Sequence, residues 1–263
     1  MEPGAFSYER TSFNVIRSKL MLIRPISIRR YGQMVKRLGR LMTGRDVLYK
    51  RDIRPKVITL GEIGCSWTIA PEYVRAPGVM YSFGVETDIS FDEEIIRRFG
   101  LEVHGFDPST QVAERIAKVE LPSKFIFHPY GIGEEDGVVR FFHQENTPGV
   151  GLVWFPTSNE PFYEEQLPVH TLGTIVKSLN TSVIEILKLD VEGAEYKLLP
   201  AIIACPVPIK QLLIEFHHRV GVESLQATVN CVEKLKEAGY LLFHVSETSS
   251  EFSFVHRSAL SAD

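Results

Sequence analysis

Asp190 follows the apolar run Ile184–Leu189, and Glu215-Phe-His217 follows Gln211–Ile214, so two carboxylates and an imidazole each stand where an apolar strand ends. In an open parallel sheet, ligands bind outside the carboxyl ends of the strands, which brings these three groups to one crevice by topology. Two chemistries fit them. The imidazole, with an intrinsic pKa near neutrality, could act as general base on an acceptor hydroxyl while a carboxylate orients it. Alternatively, Asp190, Glu215 and His217 form an O/O/N set for a divalent ion that lowers the hydroxyl's pKa. The sequence leaves both open. Because side chains alternate along a strand, Glu215 and His217 share a face and His218 points away, towards ordinary hydrogen bonding. Glu192 borders the same crevice, and Glu195 reads as a favourable first-turn acid of the next helix.

A second constellation lies earlier. The apolar run Val79–Phe83 enters a turn at Gly84, where the missing Cβ lets the backbone approach a ligand. Asp107 ends the next strand at the separation from that glycine where an acidic side chain meets ribose hydroxyls, since a carboxylate accepts from two hydroxyls at once. The turn has one glycine where a dinucleotide fingerprint has three, so it is a poor cradle for a pyrophosphate. It carries Glu86 and Asp88 instead. Acidic side chains repel phosphates and suit a cofactor with an ammonium and a sulfonium, which favours S-adenosylmethionine (SAM) over NAD. For Asp88, ordinary helix N-terminal charge is the competing reading.

Elements to position these groups are legible. Strand-like runs at 79–84, 102–106, 125–128, 184–189, 211–216, 240–245 and 252–255 alternate with helical patterns, which implies a mostly parallel sheet with helices on both faces. Ser90 and Glu93 read as a capping box, and Gly100 as a left-handed helix stop. Leu225, Val229, Val232 and Leu235 make a second stripe, closed by Gly239. Val57–Leu60 reads as a short strand and Val138–Phe142 as another. Thr147–Gly151 is a Pro/Gly-rich loop, and Trp154, Phe155, Phe162 and Tyr163 lie in an irregular segment suited to an acceptor-side lid. Tyr130 and Gly131 follow the third strand, where a plain turn is the simplest reading.

The chain has 263 residues and a net charge of −4, but residues 1–55 hold 13 Lys/Arg against 4 Asp/Glu, a basic arm on an acidic body. The division is an extension over 1–55 and one domain over 56–263. In the arm, Tyr31, Met34, Val35, Leu38, Leu41 and Met42 fall at helical spacing among Arg29, Arg30, Lys36, Arg37 and Arg40. The favoured expectation is that this stripe docks on the body with its charges solvated; peripheral contact with an anionic membrane is the alternative. Nucleic acid is not expected, because the body would repel phosphate. The 3 cysteines show no paired spacing, and no apolar run approaches a bilayer span, so a soluble cytoplasmic protein is expected.

Four motifs in order, Tyr81-Ser-Phe-Gly-Val-Glu-Thr-Asp-Ile-Ser-Phe-Asp92, Val103-His-Gly-Phe-Asp-Pro-Ser109, Ile186-Leu-Lys-Leu-Asp-Val-Glu-Gly-Ala-Glu-Tyr196 and Gln211-Leu-Leu-Ile-Glu-Phe-His-His218, resemble the FkbM-type SAM-dependent methyltransferases over about residues 79–255. The resemblance implies the class I methyltransferase (Rossmann-like) α/β fold. That fold has a seven-stranded, mostly parallel sheet with helices on both faces and one antiparallel strand near the edge. It also implies SAM contacts at Ser82, Phe83, Gly84, Asp88, Asp107, Pro108 and Ser109, with Tyr130 and Gly131 beside them. In that family a second glycine is common where Glu86 stands. The implied activity is methylation of a small molecule or glycan on oxygen. A catalytically inert module that keeps the fold is the other reading.

Overall fold

The computed structural model describes residues 28–86, 88–144, 152–153, 162–219 and 223–260. Its central sheet has seven strands: β3 (Val79–Phe83), β4 (Glu102–Phe106), β5 (Phe125–His128), β10 (Ile184–Leu189), β11 (Ile209–Glu215), β12 (Tyr240–Val245) and β13 (Glu251–His256). They lie in the order β12-β13-β11-β10-β3-β4-β5. All neighbours from β11 through β5 are parallel, and β13 runs antiparallel to both β11 and β12. This is the class I methyltransferase arrangement. The chain winds outward from β3 in one direction and from β10 in the other, so the switch point lies between those two strands.

Alternation along the strands explains the layering. Tyr81, Phe83, Leu187, Leu189, Leu212 and Ile214 face a core shared with α4 (Leu172–Ser178), α5 (Glu195–Ile203) and α6 (Leu225–Glu237). Met80, Ile186 and Leu213 face the opposite core, formed with α2 (Ser90–Phe99), α3 (Thr110–Ile116) and a hairpin of β1 (Ile58–Leu60) and β2 (Trp67–Ile69). Gln211 stitches that hairpin to the sheet: its amide accepts from Ala70 N at 2.9 Å and donates to Ala70 O at 3.0 Å, all buried. These bonds satisfy backbone groups that would otherwise be stranded in the core.

The helix ends differ in part from the capping expectation. Gly100 does end α2 in the left-handed region, at φ 64°. Ser90, however, lies inside the first turn. Its N–H donates to Asp88 Oδ1 at 2.9 Å and its hydroxyl accepts from Glu62 N at 2.8 Å, so Asp88 supplies the cap and the serine anchors the β1–β2 loop. A second sheet, ordered β6-β9-β7-β8, comprises β6 (Gly131–Ile132), β7 (Gly137–Gln144), β8 (Leu152–Val153) and β9 (Phe162–His170). β9 takes in Phe162 and Tyr163, read above as irregular, and pairs with β7 from Phe162 through Val169. Trp154, Phe155 and the whole Thr147–Gly151 loop lie outside the described residues.

Helix α1 (Ile28–Met42) docks the other way round from the favoured expectation. Arg37 donates to Ser246 O at 3.0 Å and Arg40 to Thr248 O at 3.2 Å, on the β12–β13 turn. Val35, Leu38 and Met42 are instead 53%, 58% and 82% exposed. The physical reason is Asp46, whose side chain is fully buried and draws Arg37, Arg40 and, from beyond β11, Arg219. The side chains of Tyr31 and Met34 are outside those described. No helix among the described residues is long and apolar enough to cross a membrane.

Candidate active site

Two adjoining pockets open at the switch point and share Gly84, Glu86, Asp190 and Glu192. The first is floored by Phe83 and Phe106, stacked at 4.5 Å, and walled by Asp107, Pro108, Gly131 and Phe141. Gly84 has φ 71°, and a Cβ there would collide with the carbonyl oxygen of Asp190 and sit 2.9 Å from its carbonyl carbon. The glycine is therefore required where the two halves of the sheet touch, and the close approach is to the chain itself. Glu86 also occupies the left-handed region, at φ 46°, which gives a backbone reason for a glycine at that position.

Asp107 is 5% exposed. Its Oδ2 accepts from Glu86 N and its Oδ1 from Ser109 N, both at 3.0 Å, so it ties the β3 turn to its own loop. Burial pushes its carboxyl up to about 6 against the opposing pull of those bonds. Each oxygen has a second lone pair, so the group can still accept from a ligand diol.

Of the residues expected at the cofactor, Phe83, Gly84, Asp107, Pro108 and Gly131 line the first pocket. Ser82, Asp88, Ser109 and Tyr130 do not. Ser82 falls on the strand parity that faces α2 and is fully buried there. Asp88 lines the second pocket. Ser109 caps α3 through Val112 N, and Tyr130 packs against Phe106 and His170. Phe106, Val112, Ile132, Phe141 and Val191 complete the lining, apolar positions that carry no chemical signal in the sequence.

The second pocket is acidic: Asp88, Asp92, Glu215 and Glu251 join the shared carboxylates, with Lys188 as the basic side chain in its wall. Lys188, buried on β10, donates to Gly84 O at 2.8 Å, lies 3.7 Å from Asp190 and sits 5.4 Å from the centre of the Trp67 ring. A lysine inside an apolar strand was the available clue to this support.

The expected trio is modified. His217 Nε2 lies 3.9 Å from Asp190 Oδ1 and 3.4 Å from Glu192 Oε2, and these three side chains converge. Glu215 lines the neighbouring pocket and is not in that set; burial and the charges of Asp190 and Glu251 push its carboxyl well above the usual range. Glu195, read as a first-turn acid, is wholly buried. Its Oε1 accepts from His217 N at 2.7 Å and pairs with His217 Nδ1 at 3.2 Å, while Oε2 accepts from Gly193 N at 2.9 Å.

Burial opposes a charged His217, but the hydrogen bond and charge of Glu195, with Glu192 and Asp190, outweigh it and raise the ring to about 10. The surrounding acids thus favour the protonated ring, and the carboxylates beside it are further groups placed to take a proton. Burial, then Asp190 and other acids, bring Glu192 to about 7 despite His217. His218 keeps its ordinary role, with Nδ1 at 3.1 Å from Thr228 Oγ1.

No curated protein matches the chain. Among solved structures, the fibrillarin pre-rRNA processing protein of Methanococcus jannaschii is similar at 11% identity with a TM-score of 0.43, over 80% of this chain and 86% of that one. A family model described as a methyltransferase domain, Methyltransf_22, matches residues 52–256, from the strap before β1 to the end of β13. With the sheet order and the switch-point crevice already in place, that match covers the body and its site together: the chain belongs to this methyltransferase-domain family.

Proposed function

We propose that the chain is a SAM-dependent methyltransferase of the FkbM type that methylates an oxygen of a small molecule or glycan. The observation that carries this reading is the first pocket itself: Gly84 pressed on Asp190 and Asp107 in the adjoining wall, with no basic side chain among its described lining residues. Such a lining suits a ligand carrying a sulfonium and an ammonium and gives phosphates no charged partner. Asp107 would accept from the ribose hydroxyls, and Phe83, Phe106 and Pro108 would shield the adenosine. SAM supplies an electrophilic methyl group when bound. Asp190 and Glu215 face the neighbouring acidic pocket, where a carboxylate can receive the proton as the acceptor oxygen is methylated.

Calorimetry with SAM and with its demethylated product tests the reading. Binding of either is expected. Asp107→Ala should weaken it at least tenfold, the loss of about 1.4 kcal/mol from charge-assisted hydrogen bonds. Asp190→Ala and His217→Ala should spare cofactor affinity and lower turnover. No heat with either ligand would reject the proposal. Binding without methyl transfer to any hydroxyl compound screened would favour the inert module instead.

The outward face of α1 adds a proposal about location. Val35, Leu38 and Met42, exposed beside Lys36, make a narrow apolar stripe with a positive flank, suited to an anionic membrane surface. The full chain should sediment with vesicles containing phosphatidylserine and remain free of phosphatidylcholine vesicles; equal behaviour with both would reject this contact.

A further inference from the structure

We propose that Asp190, Glu192 and His217 bind one divalent cation, with Glu195 holding the imidazole that presents Nε2 to it. The three donor atoms lie within 4.8 Å of one another, each from a different part of the site's frame: the end of β10, the turn before α5, and the segment after β11. His217 is 9% exposed, and its Nε2 makes no hydrogen bond within the described structure despite the two carboxylates facing it. An imidazole nitrogen of a largely buried ring, facing two carboxylate oxygens without a hydrogen bond to either, is the arrangement a metal ion completes.

The support behind the ring points the same way. Metal-binding histidines commonly pass their other nitrogen to a carboxylate, which fixes the tautomer and the ring's orientation. Glu195 does this from full burial, and it is itself fixed by the backbone N–H groups of Gly193 and His217. With Nδ1–H directed at Glu195, the Nε2 lone pair is the one left for the ion. Coordination there releases the Nε2 proton to solvent, and no redox change is involved. Two carboxylates and one imidazole suit Mn²⁺ or Zn²⁺, and Mn²⁺ is the more informative probe.

The position is also chemically apt. Asp190 and Glu192 belong to both pockets, so an ion between them would sit at the boundary between cofactor and acceptor. A cation there would offset the acidic wall and stabilise an acceptor alkoxide as its proton leaves. That role rests on the methyltransferase reading, whereas the binding site does not.

The test is Mn²⁺ titration of the chelator-treated full chain followed by electron paramagnetic resonance, with calorimetry of the demethylated cofactor product on the same sample. One Mn²⁺ per chain is expected, with nitrogen modulation in the spin-echo signal from the imidazole. Glu192→Gln should weaken Mn²⁺ at least tenfold, and His217→Gln should also remove the nitrogen modulation. Glu195→Gln should weaken binding about tenfold while keeping that modulation, as expected of a positioning residue. Glu94→Gln, on the exposed side of α2, should change nothing. A chain that binds the cofactor product but takes up neither Mn²⁺ nor Zn²⁺ stoichiometrically would overturn the site and leave the methyltransferase reading intact. Stoichiometric Mn²⁺ unaffected by Glu192→Gln and His217→Gln would overturn it too. Mn²⁺ uptake without binding of SAM or its product would spare the site and reject the proposed function.

Discussion

Substituting Gly84 by alanine separates two effects that usually travel together. Gly84 has φ 71° and the backbone of Asp190 against it; Gly44 has φ 67° and nothing within 4 Å of where a Cβ would go. Both alanines pay the left-handed penalty of about 1–2 kcal/mol. Only Gly84→Ala also meets a fixed neighbour, the Asp190 carbonyl carbon at 2.9 Å with its oxygen closer still. Carbon atoms prefer about 3.5–4.0 Å, so the β3 turn or the end of β10 must retreat. Overpacking of this kind costs about 1–3 kcal/mol. The total is then about 2–5 kcal/mol for Gly84→Ala against about 1–2 for Gly44→Ala. At about 2–4 °C per kcal/mol, scanning calorimetry should show the site variant melting about 2–12 °C below the control. Since the backbone displaced at Gly84 lines the first pocket, affinity for the demethylated product should also fall at least tenfold in Gly84→Ala and stay unchanged in Gly44→Ala. Equal melting temperatures and equal affinities in the two variants would refute the claim that contact between the sheet halves requires the glycine.

Other perturbations follow from the buried polar groups. Glu192 at about 7, Asp107 at about 6 and His217 at about 10 all bind protons more tightly folded than unfolded. For such groups stability is present below the unfolded pKa and lost as pH rises through the folded one. The melting temperature of the cation-free protein should therefore fall from pH 5.5 to pH 9 in a fluorimetric series, with His217→Gln flattening the upper part; a rise across pH 7–9 would contradict the assignment. Lys188→Met should cost about 1.5–3 kcal/mol in denaturant unfolding, from loss of the charged bond to Gly84 O. Gln211→Leu should cost about 2–4 kcal/mol in the same measurement, because two buried backbone groups of Ala70 lose their partner; a cost below about 0.5 kcal/mol would mean water replaces the amide.

Much of the fold could be read from periodicity. Strands 102–106, 125–128, 184–189 and 240–245 fall where their apolar runs placed them, most plainly 184–189, which is buried at every position and so has little room for anything else. Exposed β9 was harder to see: Phe162, Glu164 and Gln166 face solvent, so its polarity resembles a loop. Within the site, Gly84 and Asp107 were readable from type and position. Ser82 illustrates the limit, since its parity on β3 sends it under α2 while Phe83 beside it reaches the pocket. Glu195 was hidden for another reason. A helix first-turn acid has a satisfactory local explanation, and its actual partner, His217, comes from a different strand end. Helix α1 likewise followed a cause outside its own stripe: Asp46, just beyond the helix, is buried with Arg219, which comes from the far side of the fold.

Asp46 also ties the N-terminal helix to the segment that follows β11. Its single carboxylate is divided between Arg37 and Arg40 of α1 and Arg219, two residues beyond His217, with Arg219 Nη2 and Arg40 Nε at 3.5 and 3.4 Å from the same oxygen. Lifting the helix leaves Arg219 with an anion it no longer shares, and moving Arg219 leaves the helix's arginines the fuller hold. By reciprocity of coupled equilibria, whatever settles or disturbs the chain at 217–219 must change the free energy of seating α1 by the same amount that seating α1 changes its own. The arm and the segment that carries His217 thereby share one carboxylate.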